Sequence, residues 1–161
     1  FLAPVPFSSS VYLFTEAIIK YGSEEIKKDL LPKLVSGDVI GTLAVTEDLY
    51  APSKDNIKLS CESGKINGKK IAVPDASIAT HALVVAKSEK GICLQIADLS
   101  NEGVSIEHQE NIDESRGHFS ITFDGVDTQA IGDEISGWVV ASTPRTQRNK
   151  VWLHSHRSNT L

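Results

Sequence analysis

The sequence predicts a mainly β protein, an antiparallel β-barrel or sandwich preceded by two short α-helices. Three observations support this fold class. Near Val39 the spacing of apolar residues changes from about 3.6 residues to about two. From the same point β-branched residues become frequent, as is typical of strands. After Val39 no helix-forming stretch lies between the apolar segments, so the helical crossovers that parallel strands need are not predicted.

The first 38 residues predict the two helices. Ser10 and Ser23 are the predicted N-caps, and Gly22 is the predicted end of the first helix. Pro32 is expected to kink or shorten the second helix, because proline removes one backbone hydrogen bond. Each helix has one apolar face, made of Val11, Phe14, Ala17 and Ile18 in the first and of Ile26, Leu30 and Leu34 in the second.

Seven strands are predicted in the rest of the chain, separated by turn-forming residues such as Asn67-Gly68 and Asp124-Gly125. Their expected bounds are 39–46, 57–62, 64–73, 81–87, 92–98, 104–109 and 118–124. Residues 133–161 show no sustained period, although 138–141 is a candidate eighth strand. We therefore expect an atypical tail or truncated linker there.

Composition narrows the class of protein. The net charge of −5 argues against a nucleic-acid partner or an anionic membrane surface. No apolar stretch approaches the roughly 20 residues of a membrane-spanning helix, and no signal peptide is recognisable. Cys61 and Cys93 lack the spacing of a metal or redox motif, so free thiols are expected. His154 and His156 have no partner motif, and no metal site is predicted.

The segment from Gly41 to Asp48 ends an apolar strand with a hydroxyl group and two carboxylates. Two interpretations are open at this point. The strand runs into an ordinary turn, or its end faces a ligand. Lys69 and Lys70, which follow the Asn-Gly turn, are interpreted as the solvated edge of a hairpin rather than as a phosphate site.

Three stretches, in their order and spacing, resemble the acyl-CoA dehydrogenase family. They are YGSEEIKKDLLPKLVSGDVIGTLAVTED (21–48), GKINGKKIAVPDASIATHALVVAK (64–87) and GICLQIADLSNEGVSIEHQENIDESRGHFSITFDGV (91–126). The resemblance implies that residues 1–38 end an N-terminal helical domain and that 39–132 form the middle β domain. The family's C-terminal helical domain is not recognisable in this chain.

The resemblance also implies a flavin-dependent enzyme of fatty acid metabolism. In that family FAD takes a hydride from the β-carbon of an acyl-CoA while a carboxylate of the C-terminal domain removes the α-proton. No catalytic residue is therefore expected in this chain. The implied cofactor-binding residues are Leu43, Ala44, Val45, Thr46, Ala72, Val73 and Pro74. The implied substrate-binding residues are Pro52 and Ser53.

Departures from the family pattern leave a second function open. The family often has an aromatic residue at Leu43, proline at Asp48, and a Trp-x-Thr or Trp-x-Ser segment where Ala72 to Pro74 stand. The alternative is a non-catalytic, dehydrogenase-like β module that acts as a partner subunit or binding scaffold. For the enzyme, the implied partners are acyl-CoA, an electron-transfer partner and further subunits in a homo- or hetero-oligomer.

Two further expectations follow from the resemblance. One is a location in the bacterial cytoplasm or the mitochondrial matrix. The other concerns the two helices at the start of the chain. Their apolar faces should be partly exposed or covered in an oligomer, since the helices they pack against in the family are not recognisable here.

Overall fold

The computed structural model describes residues 5–50, 52–111 and 117–132. The chain begins with a π-helix, Phe7–Thr15, that continues into the α-helix α1, Glu16–Tyr21, and is followed by α2, Glu24–Ser36. Seven strands follow: β1 Gly41–Ala44, β2 Ser60–Glu62, β3 Lys65–Pro74, β4 His81–Ser88, β5 Gly91–Asp98, β6 Val104–Gln109 and β7 His118–Ile131. The predicted fold class, mainly β with helices at the start, is confirmed.

The strands close into a barrel. β4 pairs with β5, β5 with β7, β7 with β3, β3 with β2, and a single residue pair joins β2 back to β4. β6 extends the sheet beside β7. Most pairs are antiparallel as predicted, but β1 and β2 each run parallel to β4. The turn signals do not indicate these parallel pairs, because they join strands that are distant in the sequence.

Two apolar clusters hold the fold together. One fills the barrel and includes Leu59, Ile66 and Phe123. The other lies between the helices and the barrel and includes Phe14 and Leu83. Burying a large apolar side chain stabilises a fold by about 1.5–3 kcal/mol, so these contacts hold the helices firmly against the barrel.

The expectation of exposed helix faces is wrong for the residues that matter most. Phe14 and Ile18 are fully buried and Leu30 is 5% exposed, because the barrel itself covers them. Val11 was predicted on the same face, yet it is 53% exposed. The π-helix explains the difference, since its wider turn places Val11 out of register with the α-helical spacing.

The ends of α2 follow the sequence only in part. Ser23 is the N-cap, and its Oγ accepts a hydrogen bond from the N–H of Ile26 at 3.3 Å. The helix then passes through Pro32 and ends at Gly37, whose φ of 84° is left-handed. Of the two predicted effects of Pro32, a shortened helix is therefore wrong, and a kink stays a prediction. Buried apolar contacts of α2 on both sides of the proline, at Leu30 and Leu34, outweigh one lost hydrogen bond.

The predicted strand bounds hold within a few residues except in β7. Asp124-Gly125 was predicted as a turn, but the strand continues to Ile131. Gly125 takes a φ of 63° opposite a shift in the register of β3, so the pair marks a bulge rather than a turn. The candidate strand at 138–141 lies outside the described residues. Within the described ranges, no helix is long and apolar enough to cross a membrane.

Candidate functional site

The two segments implied as cofactor-binding lie side by side. The carbonyl of Thr46 accepts a hydrogen bond from the N–H of Ile71 at 2.8 Å. At the other end, the buried hydroxyl of Thr42 donates to the carbonyl of Pro74 at 2.6 Å. Residues 43–46 and 72–74 therefore lie side by side on β1 and β3, although nearly thirty residues separate them in the sequence. We call the surface where the two segments meet the candidate cleft.

The backbone of β1 turns alternate residues toward this cleft. The Ile40 carbonyl faces β4, since it accepts from the N–H of His81 at 3.1 Å. Gly41 faces the opposite edge, where its N–H donates to a serine hydroxyl of the π-helix at 3.1 Å. Because peptide groups alternate along a strand, those of Leu43 and Val45 share the edge of Gly41. Their N–H groups are the donors that the cleft edge can offer.

The side chains divide into two groups. Leu43, Ala44 and Val73 are buried in the apolar clusters, so only their backbone can meet a ligand. Thr46 is half-buried, with its hydroxyl just beyond the end of β1, and Ala72 is exposed. Of the implied cofactor residues, Thr46 is the one whose side chain can donate a hydrogen bond there.

A strained bulge forms the β3 side of the cleft. The register of β3 shifts between Lys70 and Val73, and Ala72 takes a left-handed φ of 52°. Its N–H donates to Oε1 of Gln109 at 2.7 Å. Such a φ costs a residue other than glycine roughly 1–2 kcal/mol. Gln109 escaped the sequence analysis, because it comes from β6 and no local pattern links it to Ala72.

Gln109→Leu is expected to destabilise the chain by about 0.5–1.5 kcal/mol, the net contribution of one hydrogen bond. Gln109→Glu retains an acceptor oxygen and serves as the matched control. Ala72→Gly should recover part of the loss, because glycine adopts a positive φ without steric cost. Urea unfolding of the four proteins measures the differences. Equal stability of the leucine and glutamate variants would contradict the assigned role of Gln109.

Glu47 and Lys70 form a buried ion pair beneath the cleft. Lys70 Nζ donates to Glu47 Oε1 at 2.7 Å and to the Val45 carbonyl at 2.9 Å. The same carboxylate accepts from the N–H groups of Lys58 at 2.7 Å and Leu59 at 3.0 Å. One carboxylate therefore ties the end of β1, the interior of β3 and the chain before β2 together.

The ion pair corrects an expectation about Lys70. The residue was predicted at a solvated edge, but its side chain is fully buried in the barrel. Burial lowers the pKa of Lys70 from its ordinary value, and the bond to Glu47 opposes that shift. Lys69 does face solvent, where it pairs with Glu107 at 3.3 Å. The Glu47 carboxylate at the end of the apolar strand therefore has a structural role. This role does not depend on whether the neighbouring Thr46 hydroxyl contacts a ligand.

The loop after β1 presents the implied substrate-binding residues. Pro52 is exposed and Ser53 is half-buried. The N–H of Ser53 donates to Oδ1 of Asn56 at 2.7 Å, which fixes a tight turn at 53–56. Leu49 and Tyr50 project from the same loop with large exposed surfaces. The loop is therefore anchored at its base by Glu47 and open to ligands at its tip.

Metal ligands do not cluster in the part of the chain that the structure describes. No group of three or more His, Cys, Asp or Glu side chains is placed to hold a metal ion there. Cys61 and Cys93 are free thiols, as predicted. His154 and His156 lie outside the described residues.

Known proteins match this chain over part of their length. No model of a known protein family matches it. A mitochondrial 2-methylacyl-CoA dehydrogenase of Solanum tuberosum is 29% identical, over 55% of this chain and 24% of the relative. A variant steroid ACAD superposes with a TM-score of 0.72 at 28% identity, over 88% of this chain and 40% of that one.

A glutaryl-CoA dehydrogenase of Mycobacterium smegmatis, solved in complex with FADH2, shares the fold. Its TM-score is 0.71 at 21% identity, over 81% of this chain and 37% of that one. The chain thus spans less than half the length of each of these relatives.

Proposed function

Since this chain belongs by sequence and fold to the acyl-CoA dehydrogenase family, we propose that it is part of a flavin-dependent enzyme that dehydrogenates an acyl-CoA thioester. In this proposal residues 1–38 end the N-terminal helical domain and 39–132 form the middle β domain. The α,β-dehydrogenation is a property of the whole enzyme, to which this chain contributes one wall of the site.

The observation that carries the proposal is the meeting of two separate segments. Residues 43–46 and 72–74 were implied as cofactor-binding from different parts of the sequence. The Thr46–Ile71 hydrogen bond and the Thr42–Pro74 hydrogen bond hold them side by side. The adjacency of the two segments supports a shared ligand, whereas a strand that merely runs into a turn requires no such juxtaposition.

The cleft edge fits the polar edge of a flavin. The N–H groups of Leu43 and Val45 and the hydroxyl of Thr46 are hydrogen-bond donors on one side of it. A reduced flavin gains negative charge near N1, and fixed donors stabilise that charge. Bound FAD would supply the hydride acceptor for oxidation of the substrate.

The β3 side fits less well. The N–H of Ala72 is already used by Gln109, and Pro74 has no N–H and a carbonyl engaged by Thr42. Val73 can offer a ligand only its backbone groups, because its side chain is buried. We therefore assign the polar contacts to the β1 side and only van der Waals contact to Ala72 and Pro74.

The exposed loop provides the substrate side of the proposal. We assign Ser53 and Pro52 to contact with the acyl-CoA, because they follow the cofactor strand on a loop held at its base by Glu47. The base that removes the α-proton is assigned to a part of the enzyme other than this chain. Further subunits and an electron-transfer partner complete the proposed assembly, and the mitochondrial relative favours the matrix over the bacterial cytoplasm.

A second candidate function is a non-catalytic β module that serves as a partner subunit. The engaged N–H of Ala72 and the engaged carbonyl of Pro74 favour it, since both reduce what the cleft offers a flavin. Titration of the purified chain with FAD, followed by flavin fluorescence and absorbance, separates the two. The enzyme proposal predicts saturable binding. A folded protein that binds no FAD up to millimolar concentration would favour the module.

Thr46→Val is expected to weaken FAD binding by about 0.5–1.5 kcal/mol, because it removes one hydrogen-bond donor and keeps the shape of the side chain. Thr122→Val, at a half-buried threonine of β7, is the matched control and should leave the affinity unchanged. The same titration measures both variants. If Thr46→Val binds FAD as tightly as the control, Thr46 is not part of the site.

A further inference from the structure

The ammonium group of Lys70 lies against the backbone that carries the proposed flavin donors. Its Nζ donates to the carbonyl of Val45 at 2.9 Å, and the side chain is fully buried. Val45 comes directly after β1, and its N–H is one of the two backbone donors assigned to the flavin. Since the N–H and C=O of one residue point to the same side of a strand, the ammonium lies on the same edge as that donor.

The ion pair between Lys70 and Glu47 has a definite direction. Lys70 Nζ contacts Glu47 Oε1 at 2.7 Å. The carboxylate also accepts from the N–H groups of Lys58 and Leu59, which belong to the chain before β2. The positive end of the pair is therefore bonded to the end of β1, whereas the negative end is bonded to the N–H groups before β2.

The fold alone does not require a charge at Lys70. Apolar residues of similar volume often stabilise a protein interior as well as a buried ion pair does. A charge provides what an apolar residue cannot, which is an electric field at the end of β1. Because Lys70 is buried, salt and water screen this field less than they would at the surface.

The proposed reaction brings negative charge to this edge. A hydride that leaves the β-carbon of the acyl-CoA carries one negative charge to the flavin, while a base in another part of the enzyme takes the α-proton. Fixed positive groups that point to where charge develops stabilise the charged state. The ammonium of Lys70 is such a group, because it lies on the edge to which the N–H of Val45 points.

We propose that Lys70 is a positioning residue of the flavin site, which fixes the Val45 peptide group and makes the site prefer reduced over oxidised flavin. Lys70 does not touch the flavin in this proposal. Its effect passes through the Val45 peptide group and through its own charge. The inference rests on the proposed flavin site, and it adds that the buried ion pair sets the preference of that site for the reduced cofactor.

The test compares the affinities of the chain for oxidised and reduced FAD. Anaerobic equilibrium dialysis at slightly alkaline pH, against FAD and against dithionite-reduced FAD, gives the two Kd values. Lys70→Met is expected to lower the ratio of the oxidised Kd to the reduced Kd by roughly tenfold, the lower end of what a neighbouring charge does to the ionisation of a group. A tenfold change corresponds to about 30 mV in the two-electron potential of the bound flavin.

Two lysine variants are the controls. Lys70→Arg keeps the positive charge and should retain the wild-type ratio, even if it binds both forms less tightly. Lys69→Met removes the preceding lysine, which is exposed and pairs with Glu107 at 3.3 Å, and should leave the ratio unchanged. A purely structural defect lowers both affinities by the same factor, because a partly folded chain offers fewer competent sites to either form. The ratio therefore reports the charge rather than the stability.

A double variant keeps the test decisive if Lys70→Met does not fold. Glu47→Leu combined with Lys70→Met removes both charges, a replacement that buried ion pairs often tolerate. Its ratio should also fall below that of the wild type, because the positive end of the pair at β1 is lost. A wild-type ratio in the double variant or in Lys70→Met would overturn this inference and leave the flavin site intact. A wild-type chain that binds neither form saturably would overturn the flavin site, and this inference with it.

Discussion

Glu47→Leu is expected to lower the free energy of unfolding by about 3–5 kcal/mol. The substitution leaves the ammonium of Lys70 fully buried without its carboxylate, which is the costly outcome for a buried ion pair. It also removes the acceptor of the Lys58 and Leu59 N–H groups, which anchor the loop after β1. Urea unfolding of the wild type and the variant measures the loss.

A double variant separates the charge from the hydrogen bonds. Lys70→Met removes the buried charge, so Glu47→Leu combined with Lys70→Met should be more stable than Glu47→Leu alone. The matched control is Asp127→Asn, which breaks the exposed Lys65–Asp127 pair at 3.0 Å and should cost less than about 1 kcal/mol. If Glu47→Leu lowers the free energy of unfolding no more than Asp127→Asn does, the buried pair is not important for stability.

The loss should also depend on pH in a definite direction. Burial lowers the pKa of folded Lys70 below its ordinary value of 10.5, and without Glu47 the group loses the interaction that opposes the shift. The unfolded chain then binds more protons than the folded chain between these two pKa values, so stability rises with pH there. Glu47→Leu should recover stability as the pH approaches 10.5, whereas the double variant should not. A flat profile for the single variant would contradict this assignment.

Phe14→Ala is expected to destabilise the fold by about 3–5 kcal/mol, as large cavities in a core do. Phe14 is fully buried between the π-helix and β1, in the cluster that joins the helices to the barrel. Val35, which is 90% exposed to solvent, provides the control. Val35→Ala should change the free energy of unfolding by less than about 0.5 kcal/mol. Thermal and urea unfolding both measure the difference.

A substitution at Gly41 provides a second test of the packing around Phe14. A methyl group on Gly41 would overlap the ring of Phe14, so Gly41→Ala alone should cost about 1–3 kcal/mol. When Phe14 is alanine, the two ring atoms that the methyl group would overlap are gone, and only the close contact with the Cβ of residue 14 remains. The double variant should therefore lose less than the sum of the single variants. Additive losses would mean that the two residues do not pack together.

The sequence by itself determined the order and type of the elements. The change of period near Val39, the N-cap at Ser23 and the turns between the strands are local signals, and the structure confirms the elements that they predict, apart from the turn at Asp124-Gly125. The family resemblance also came from the sequence, since it depends on the order of short motifs. It implied which residues face a cofactor, and for those residues the assignment stays a prediction.

Only the tertiary structure decided which groups in those segments are available. The parallel placement of β1 beside β4, the Lys70–Glu47 ion pair and the Gln109–Ala72 hydrogen bond all join distant parts of the chain. The reason is physical. Local propensity and period act within a few residues, whereas a closed barrel fixes which side chains meet in its interior and which backbone N–H groups remain at its edge.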